Sequence, residues 1–190
     1  MEITIHPQVK RKIISDEAIG MSFLIATEIM FFAGLISAYI VNKAGVSWPP
    51  AGQPRLPVEI TAINTFILLS SAFTIYSFKK KYAEGKGKSL LVVTLLIGLA
   101  FVAIQGIEWI KLLEFGLTTT SSLYGAFFYT LIGAHGFHVI VGLIILLYLL
   151  FSVNKKLPDE KSLGRIAACS MYWYFVVGIW PVLYILVYLS

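Results

Sequence analysis

The sequence predicts an all-α integral membrane protein: a bundle of five transmembrane helices in a single domain over residues 1–190. Hydrophobic residues make up 58% of the chain, and the mean hydropathy of +0.83 is far above that of a soluble domain. Five apolar runs are each long enough for the roughly 20 residues that a bilayer core requires. Short basic segments separate the runs, so the excess of 15 Lys and Arg over 10 Asp and Glu orients membrane helices and does not indicate nucleic-acid binding.

Helix one is predicted over residues 18–42. Ser15 can cap its start, and Asp16 and Glu17 place acids at the positive end of the helix dipole. The apolar run is too long for a signal peptide and has no obvious small-residue cleavage site, so we expect it to remain as the first span. Residues 43–57 are rich in proline and glycine, which predicts an ordered loop.

The remaining apolar runs give four more helices. Pro181 lies inside the last one, where it removes a backbone hydrogen bond to the carbonyl of Val177 and is expected to bend the helix. Trp109, near the end of the third helix, is a candidate anchor at the membrane interface. The predicted bounds of these four helices are 58–78, 89–113, 122–152 and 166–189.

Charge between the helices predicts the topology. With the N-terminus inside, the inner segments carry three, five and four Lys and Arg, twelve in total, and the outer segments carry Lys43, Arg55 and Lys111. Cytoplasmic segments of membrane proteins are enriched in Lys and Arg. We therefore expect a cytoplasmic N-terminus and a C-terminus on the outer side.

Glu28 is the acidic residue that the prediction places deepest in a span. It lies about ten residues into helix one, roughly 14 Å along the axis at about 1.5 Å per residue. A carboxylate at such a position costs on the order of 3 kcal/mol on insertion scales. Three roles stay open: a proton carrier, a hydrogen-bonded acid or a partner of lipid headgroups. We favour a functional role over a purely structural one.

Other intramembrane polar residues suit helix packing. Asn64, Gln105 and Glu108 are expected to bond between helices or at an interface, with Glu108 near enough to the outer end for its carboxylate to reach water. Thr65, Ser70 and Ser71 share the helix of Asn64 and are expected to do the same.

His135 and His138 raise the question of a metal, because two histidines one turn apart can bind one. The only other histidine is His6, in the N-terminal tail, and the lone Cys169 cannot form a cysteine pair. We expect no metal site in this chain.

Several segments, in order along the chain, resemble subunit III of the haem-copper oxidases, the superfamily of cytochrome c and quinol oxidases. The match covers nearly the whole chain, although the family's common form has seven helices and this chain resembles the last five. Helix five departs from the family pattern at Tyr174 and Gly178, so family roles at those positions are not carried over. The matching segments are Gly20 to Gly34, Trp48 to Pro50, Asn64 to Ser71, Gln105 to Trp109, Tyr124 to Phe128 and Gly133 to Gly142.

The resemblance implies a non-catalytic subunit in the inner membrane of a bacterium. Such a chain packs on oxidase subunit I with subunit II in the same complex, binds structural phospholipid, and supports proton uptake and the durability of the catalytic subunit. Haem and copper then belong to the partner subunits, with no cofactor in this chain, and a larger respiratory supercomplex is a further candidate partner. Glu28, His135 and His138 are expected to form the polar centre, facing lipid headgroups or a neighbouring helix.

Three alternatives stay open. The chain could accompany a nitric oxide reductase or a quinol oxidase. It could be a small proton-coupled transporter that uses Glu28, although the sequence shows no internal repeat of the kind that transporters often carry. It could also be a bare assembly scaffold, for which Glu28 would have no role in turnover.

Overall fold

The computed structural model describes residues 15–44, 48–82, 84, 86–153 and 160–189, and these contain helices without strands. All five predicted spans are present as helices that are long and apolar enough to cross a membrane. A five-residue π-helix, Ile185–Leu189, continues the last of them. The helices are α1 (Asp16–Lys43), α2 (Val58–Tyr82), α3 (Lys88–Glu114), α4 (Leu123–Ser152) and α5 (Glu160–Tyr184).

α5 is the centre of the bundle. It packs against α1, α2 and α4, while α2 and α3 form the closest helix pair and α3 also contacts α4. Trp173 and Trp180 of α5 are fully buried and Tyr172 is nearly so, while the other aromatic side chains of the helix are partly buried. Core packing inside the chain is therefore the main role of the aromatic residues of α5.

α5 begins at Glu160, six residues before the predicted start at residue 166. The prediction followed hydropathy and therefore stopped at the charged residues, but a helix continues past the apolar zone when no proline interrupts it. α2 shows the same effect: it extends through three lysines to Tyr82, beyond the predicted end at residue 78. The charged turns at both places extend the helices beyond their apolar lengths.

The predicted helix cap at Ser15 is confirmed, and α1 begins at Asp16, two residues before the predicted start at residue 18. The Ser15 hydroxyl accepts a hydrogen bond from the backbone N–H of Ala18 at 3.2 Å, which satisfies one of the unpaired donors of the first turn. At the other end of the chain, Pro181 lies inside α5 and the helix changes to the wider π form four residues later. The bend expected at Pro181 stays a prediction, and the structure shows a change of helix type at Ile185.

Two glycines let α3 and α4 approach the Trp173 ring. A methyl group added at Gly98 of α3 would lie 2.8 Å from that ring and 2.7 Å from Leu143, and one added at Gly142 of α4 would lie 3.0 Å from the ring. Real side chains do not come so close. The lack of a side chain at both positions therefore sets the spacing of α3, α4 and α5.

Candidate functional site

Glu28 and His138 form a polar pair between α1 and α4. The distance between His138 Nε2 and Glu28 Oε2 is 2.9 Å, and the second ring nitrogen, Nδ1, lies 2.7 Å from the carbonyl oxygen of Ala134. A carbonyl oxygen only accepts, so Nδ1 carries a proton. Nε2 then either accepts the proton of a neutral Glu28 carboxyl group or donates as part of an imidazolium ion to the carboxylate. In both forms the pair has the same net charge.

The pair lies at the side of the bundle. It lines a cavity of about 510 Å³ together with Thr27, Phe31, Ala134 and Phe137. Phe31 and Phe137 are 46% and 64% exposed, so the mouth of the cavity is apolar and faces outward, where lipid or another subunit lies in a membrane. The Glu28 side chain itself is 24% exposed.

Aromatic rings hold the imidazole in place from the other sides. The centroid of the Phe32 ring is 5.1 Å from that of His138, and the Phe31 ring is 6.0 Å away. Phe32 is fully buried and also contacts Phe175 of α5. The rings fix the position of His138 but provide no second polar partner, so Glu28 is the side chain that completes its hydrogen bonding.

His135 lies elsewhere, which corrects the expectation of one centre with both histidines. Its ring stacks on Trp180 at 4.8 Å and meets the edge of Phe101 at 6.0 Å. The side chain is 1% exposed, and within the described residues neither ring nitrogen has a hydrogen-bond partner. Only Glu28 and His138 of the three predicted residues come together.

Asn64 and Gln105 bond between helices, as predicted. Asn64 of α2 donates from Nδ2 to the carbonyl oxygen of Phe101 in α3 at 3.2 Å. Gln105 of α3 donates from Nε2 to the hydroxyl of Tyr188 in the π-helix at 3.1 Å. Both side chains are almost fully buried. These bonds stabilise the packing of α2, α3 and the end of the chain.

Glu108 is buried, so its carboxylate is not directly open to water as expected. Its side chain is 5% exposed and accepts from Lys111 Nζ at 3.0 Å on the same helix, while the Lys111 side chain is half exposed. The bond found is therefore within α3 and not between helices. The pair is a local contact within α3.

Two indole hydrogen bonds join α5 to α2. Trp173 Nε1 donates to Ser71 Oγ at 2.9 Å, and Trp180 Nε1 donates to Thr65 Oγ1 at 2.8 Å. The interhelical role expected of Thr65 and Ser71 is found, whereas Ser70 is exposed and bonds to its own helix. The tryptophan partners were not anticipated, although a buried indole N–H usually needs an acceptor.

The arrangement of possible ligands does not resemble a metal centre. Across the described ranges, no three side chains of His, Cys, Asp or Glu come together as a ligand set. His138 is engaged by Glu28, and His135 is enclosed by aromatic rings. The expected lack of a cofactor in this chain stays a prediction, and His6 lies outside the described residues.

These features define a class of protein: a multi-pass membrane protein whose described residues form a helical bundle with polar groups between its helices. Comparison with known families places it more narrowly. The model of the family described as cytochrome c oxidase subunit III matches residues 1–190. The chain belongs to the cytochrome c oxidase subunit III family.

Similar proteins agree with that placement. The chain is 35% identical to a probable cytochrome c oxidase subunit 3 of Mycobacterium leprae, over 90% of this chain and 86% of that protein. It is 34% identical to the subunit 3 of Synechocystis, over 90% and 74%, and 32% identical to that of Mus musculus, over 89% and 67%. Family membership confirms the resemblance and makes this chain part of a haem-copper oxidoreductase complex with other oxidase subunits.

Proposed function

We propose that this chain is the non-catalytic membrane subunit that sustains proton uptake and durability in its oxidase. It packs on subunit I, with subunit II in the same complex, holds phospholipid against α1 and α4, and lies in the inner membrane of a bacterium with its N-terminus in the cytoplasm. Haem and copper belong to the partner subunits. The 190 residues act as one domain.

The observation that carries this proposal is the 2.9 Å contact between Glu28 and His138 beside an outward-facing cavity. Burying a carboxyl group and an imidazole at membrane depth costs free energy. Residues of this kind therefore have a functional role more often than a purely packing role. Here one proton can lie on either side of the hydrogen bond without changing the net charge. Such a pair can pass a proton from one group to the other with little rearrangement, as a step in a path of proton uptake requires.

The depth of the pair favours contact with acyl chains. Glu28 lies twelve residues after Asp16, about 18 Å along a helix whose rise is about 1.5 Å per residue. That distance is close to the middle of a hydrocarbon core about 30 Å thick. Phospholipid at this cavity therefore places its tails against Phe31 and Phe137, and its headgroup lies nearer to a helix end.

The experiment compares Glu28→Gln with the parent in the assembled oxidase. The amide keeps the size of the side chain and can donate to His138 Nε2, but it cannot release a proton. We expect slower proton uptake and fewer turnovers before inactivation, measured by oxygen consumption in proteoliposomes with a pH-sensitive dye. Glu114→Gln is the matched control, because Glu114 is an exposed acid at the end of α3.

Phospholipid is measured on the same preparations. Extraction and mass spectrometry of the purified complex should show fewer retained phospholipids when Phe31→Ser and Phe137→Ser open the mouth of the cavity. Unchanged turnover, lifetime and proton uptake in Glu28→Gln would favour the bare scaffold. Unchanged lipid content in the serine variants would remove phospholipid from the proposal.

A further inference from the structure

A second cavity lies between α3 and α4, on the other side of Phe137. Its volume is about 290 Å³, and the residues that line it come from both helices and from Trp180 of α5. Phe137 and Ile140 at its edge are 64% and 47% exposed, so the cavity opens toward the membrane. It is thus accessible to molecules dissolved in the bilayer.

Three side chains that line this cavity carry four polar atoms without a partner in the described part of the chain. These atoms are both ring nitrogens of His135, Oε1 of Gln105 and Nε1 of Trp109. His135 is 1% exposed and Gln105 is 6% exposed. Leaving a buried polar group unpaired is destabilising, because the hydrogen bonds it made with water are lost without replacement. These groups therefore favour a ligand that forms hydrogen bonds with them.

The lining excludes charged headgroups. Among the residues that the structure describes, no Lys, Arg, Asp or Glu lines the cavity, and most of its wall is aromatic, aliphatic or glycine. A phosphate group there would lose its hydration without gaining a counter-charge, which is far costlier than burial of a neutral group. Water alone also fits poorly, because a volume of this size would hold about ten molecules at about 30 Å³ each, and three polar side chains cannot satisfy them.

The polar groups match a hydroxyl. Trp109 Nε1 is a donor, Gln105 Oε1 is an acceptor, and a neutral imidazole such as that of His135 offers one of each. A hydroxyl group can donate one hydrogen bond and accept two, so it can serve both kinds of partner at once. We propose that the α3–α4 cavity binds an uncharged amphiphile with a hydroxyl head, whose apolar body lies between the helices and whose remainder extends into the bilayer.

The glycines leave room for the body of this ligand. A methyl group added at Gly106 would meet nothing within 4 Å, and one added at Gly133 would touch only Trp109, at 3.6 Å. The flat rings of Phe101 and Trp180 form further walls. A phenol-type ring and a straight alkyl chain both suit such a space, and the experiment separates these two sources of a hydroxyl head.

The test uses the purified oxidase in nanodiscs with two photoactivatable probes, a diazirine-bearing alkylphenol and a diazirine-bearing long-chain alcohol. Mass spectrometry of the digested complex should find the adducts in residues 101–109 and 132–140, in competition with the unlabelled compound. The methyl ether of each probe cannot donate to Gln105, and we expect it to label about tenfold less. The hydroxyl probe that gives the higher labelling yield shows whether the natural ligand carries a phenol-type ring or a straight alkyl chain.

Two variants make the result specific. Gly106→Leu fills the cavity without removing a polar group and should abolish labelling, whereas Gly20→Leu, also with nothing within 4 Å of its added carbon, is the control that should retain it. His135→Phe keeps a ring against Trp180 but removes both nitrogens, so labelling should fall about tenfold. Equal labelling by the ethers, full labelling of Gly106→Leu, or no labelling because another subunit covers the groove would each overturn the proposal.

Discussion

His138 Nε2 lies 2.9 Å from Glu28 Oε2, so one hydrogen bond joins the first span to the fourth across 110 residues of sequence. α1 otherwise touches α4 along a short stretch only and packs mainly on α5. The bond is therefore a principal polar connection of α1 to the rest of the bundle. Its contribution to stability can be separated from its role with protons.

Glu28→Leu and Glu28→Gln should differ in stability. Leucine leaves His138 Nε2 without its partner in a mostly buried position, and we expect a loss of about 1–3 kcal/mol in the free energy of unfolding. Glutamine can still donate to Nε2 and should lose less than about 1 kcal/mol. Unfolding in mixed micelles with increasing SDS measures both. Equal losses would mean that the carboxylate and imidazolium charges matter more than the hydrogen bond.

Ser71→Ala should destabilise the contact between α2 and α5. The substitution leaves Trp173 Nε1, which donates to Ser71 Oγ at 2.9 Å in the protein, without an acceptor. We expect a loss of about 1–3 kcal/mol, as for other buried donors without partners. Ser70→Ala is the matched control, since the exposed Ser70 bonds only to Ile67 of its own helix and should change stability by less than about 0.5 kcal/mol. Equivalent SDS midpoints for the two variants would contradict the assigned bond.

Gly98→Ala should weaken the packing of α3. The new methyl group would lie 2.7 Å from Leu143 and 2.8 Å from Trp173, so these side chains must shift. Overpacking of this kind costs about 1–3 kcal/mol. Gly106→Ala on the same helix has nothing within 4 Å and should be neutral or slightly stabilising. The measurement is the thermal midpoint of each variant in detergent, and an equally stable Gly98→Ala protein would show that Leu143 and Trp173 shift away from α3 at little cost.

The charge distribution predicts that the N-terminus lies in the cytoplasm. The twelve-to-three division of Lys and Arg between the two sides follows from the positive-inside tendency. Fusions that end after residue 84 should be active with a cytoplasmic reporter, and fusions after residue 118 with a periplasmic one. Introducing lysines into 115–121 should then reduce insertion in the native orientation. The reverse reporter pattern would invert the proposed topology.

Much of the fold was readable from the sequence because each span is longer than a bilayer core. Hydropathy located all five helices, and α3 and α4 begin and end within one residue of their predicted bounds. Hydropathy does not locate a helix end where charged residues are part of the helix. Glu160 to Arg165 are largely polar, yet they form the first turns of α5. Hydropathy reports where a helix is buried in lipid, not where its hydrogen bonds begin.

The candidate site was only partly predictable. Glu28 was identified by its depth, but its partner could not be chosen between two histidines three residues apart, which differ by about 60° around a helix of 3.6 residues per turn. The rotation of α4 about its own axis determines which of the two histidines meets Glu28. His138 faces α1, and His135 faces Trp180 of α5. That rotation depends on close contacts of Gly142 with Trp173, which no pattern within α4 reveals.

The contacts of α1 can form only late in synthesis, because its partners follow it in the chain. α1 leaves the ribosome before the other four helices, but its main packing partner, α5, is the last of the five to be made. At about 5–20 residues per second, Glu28 waits on the order of 5–20 s for the imidazole that is 110 residues away. During that interval α1 lacks its packing partner, and its carboxyl group has no hydrogen-bond partner from α4. An insertase or chaperone that shields it would raise the yield of the oxidase.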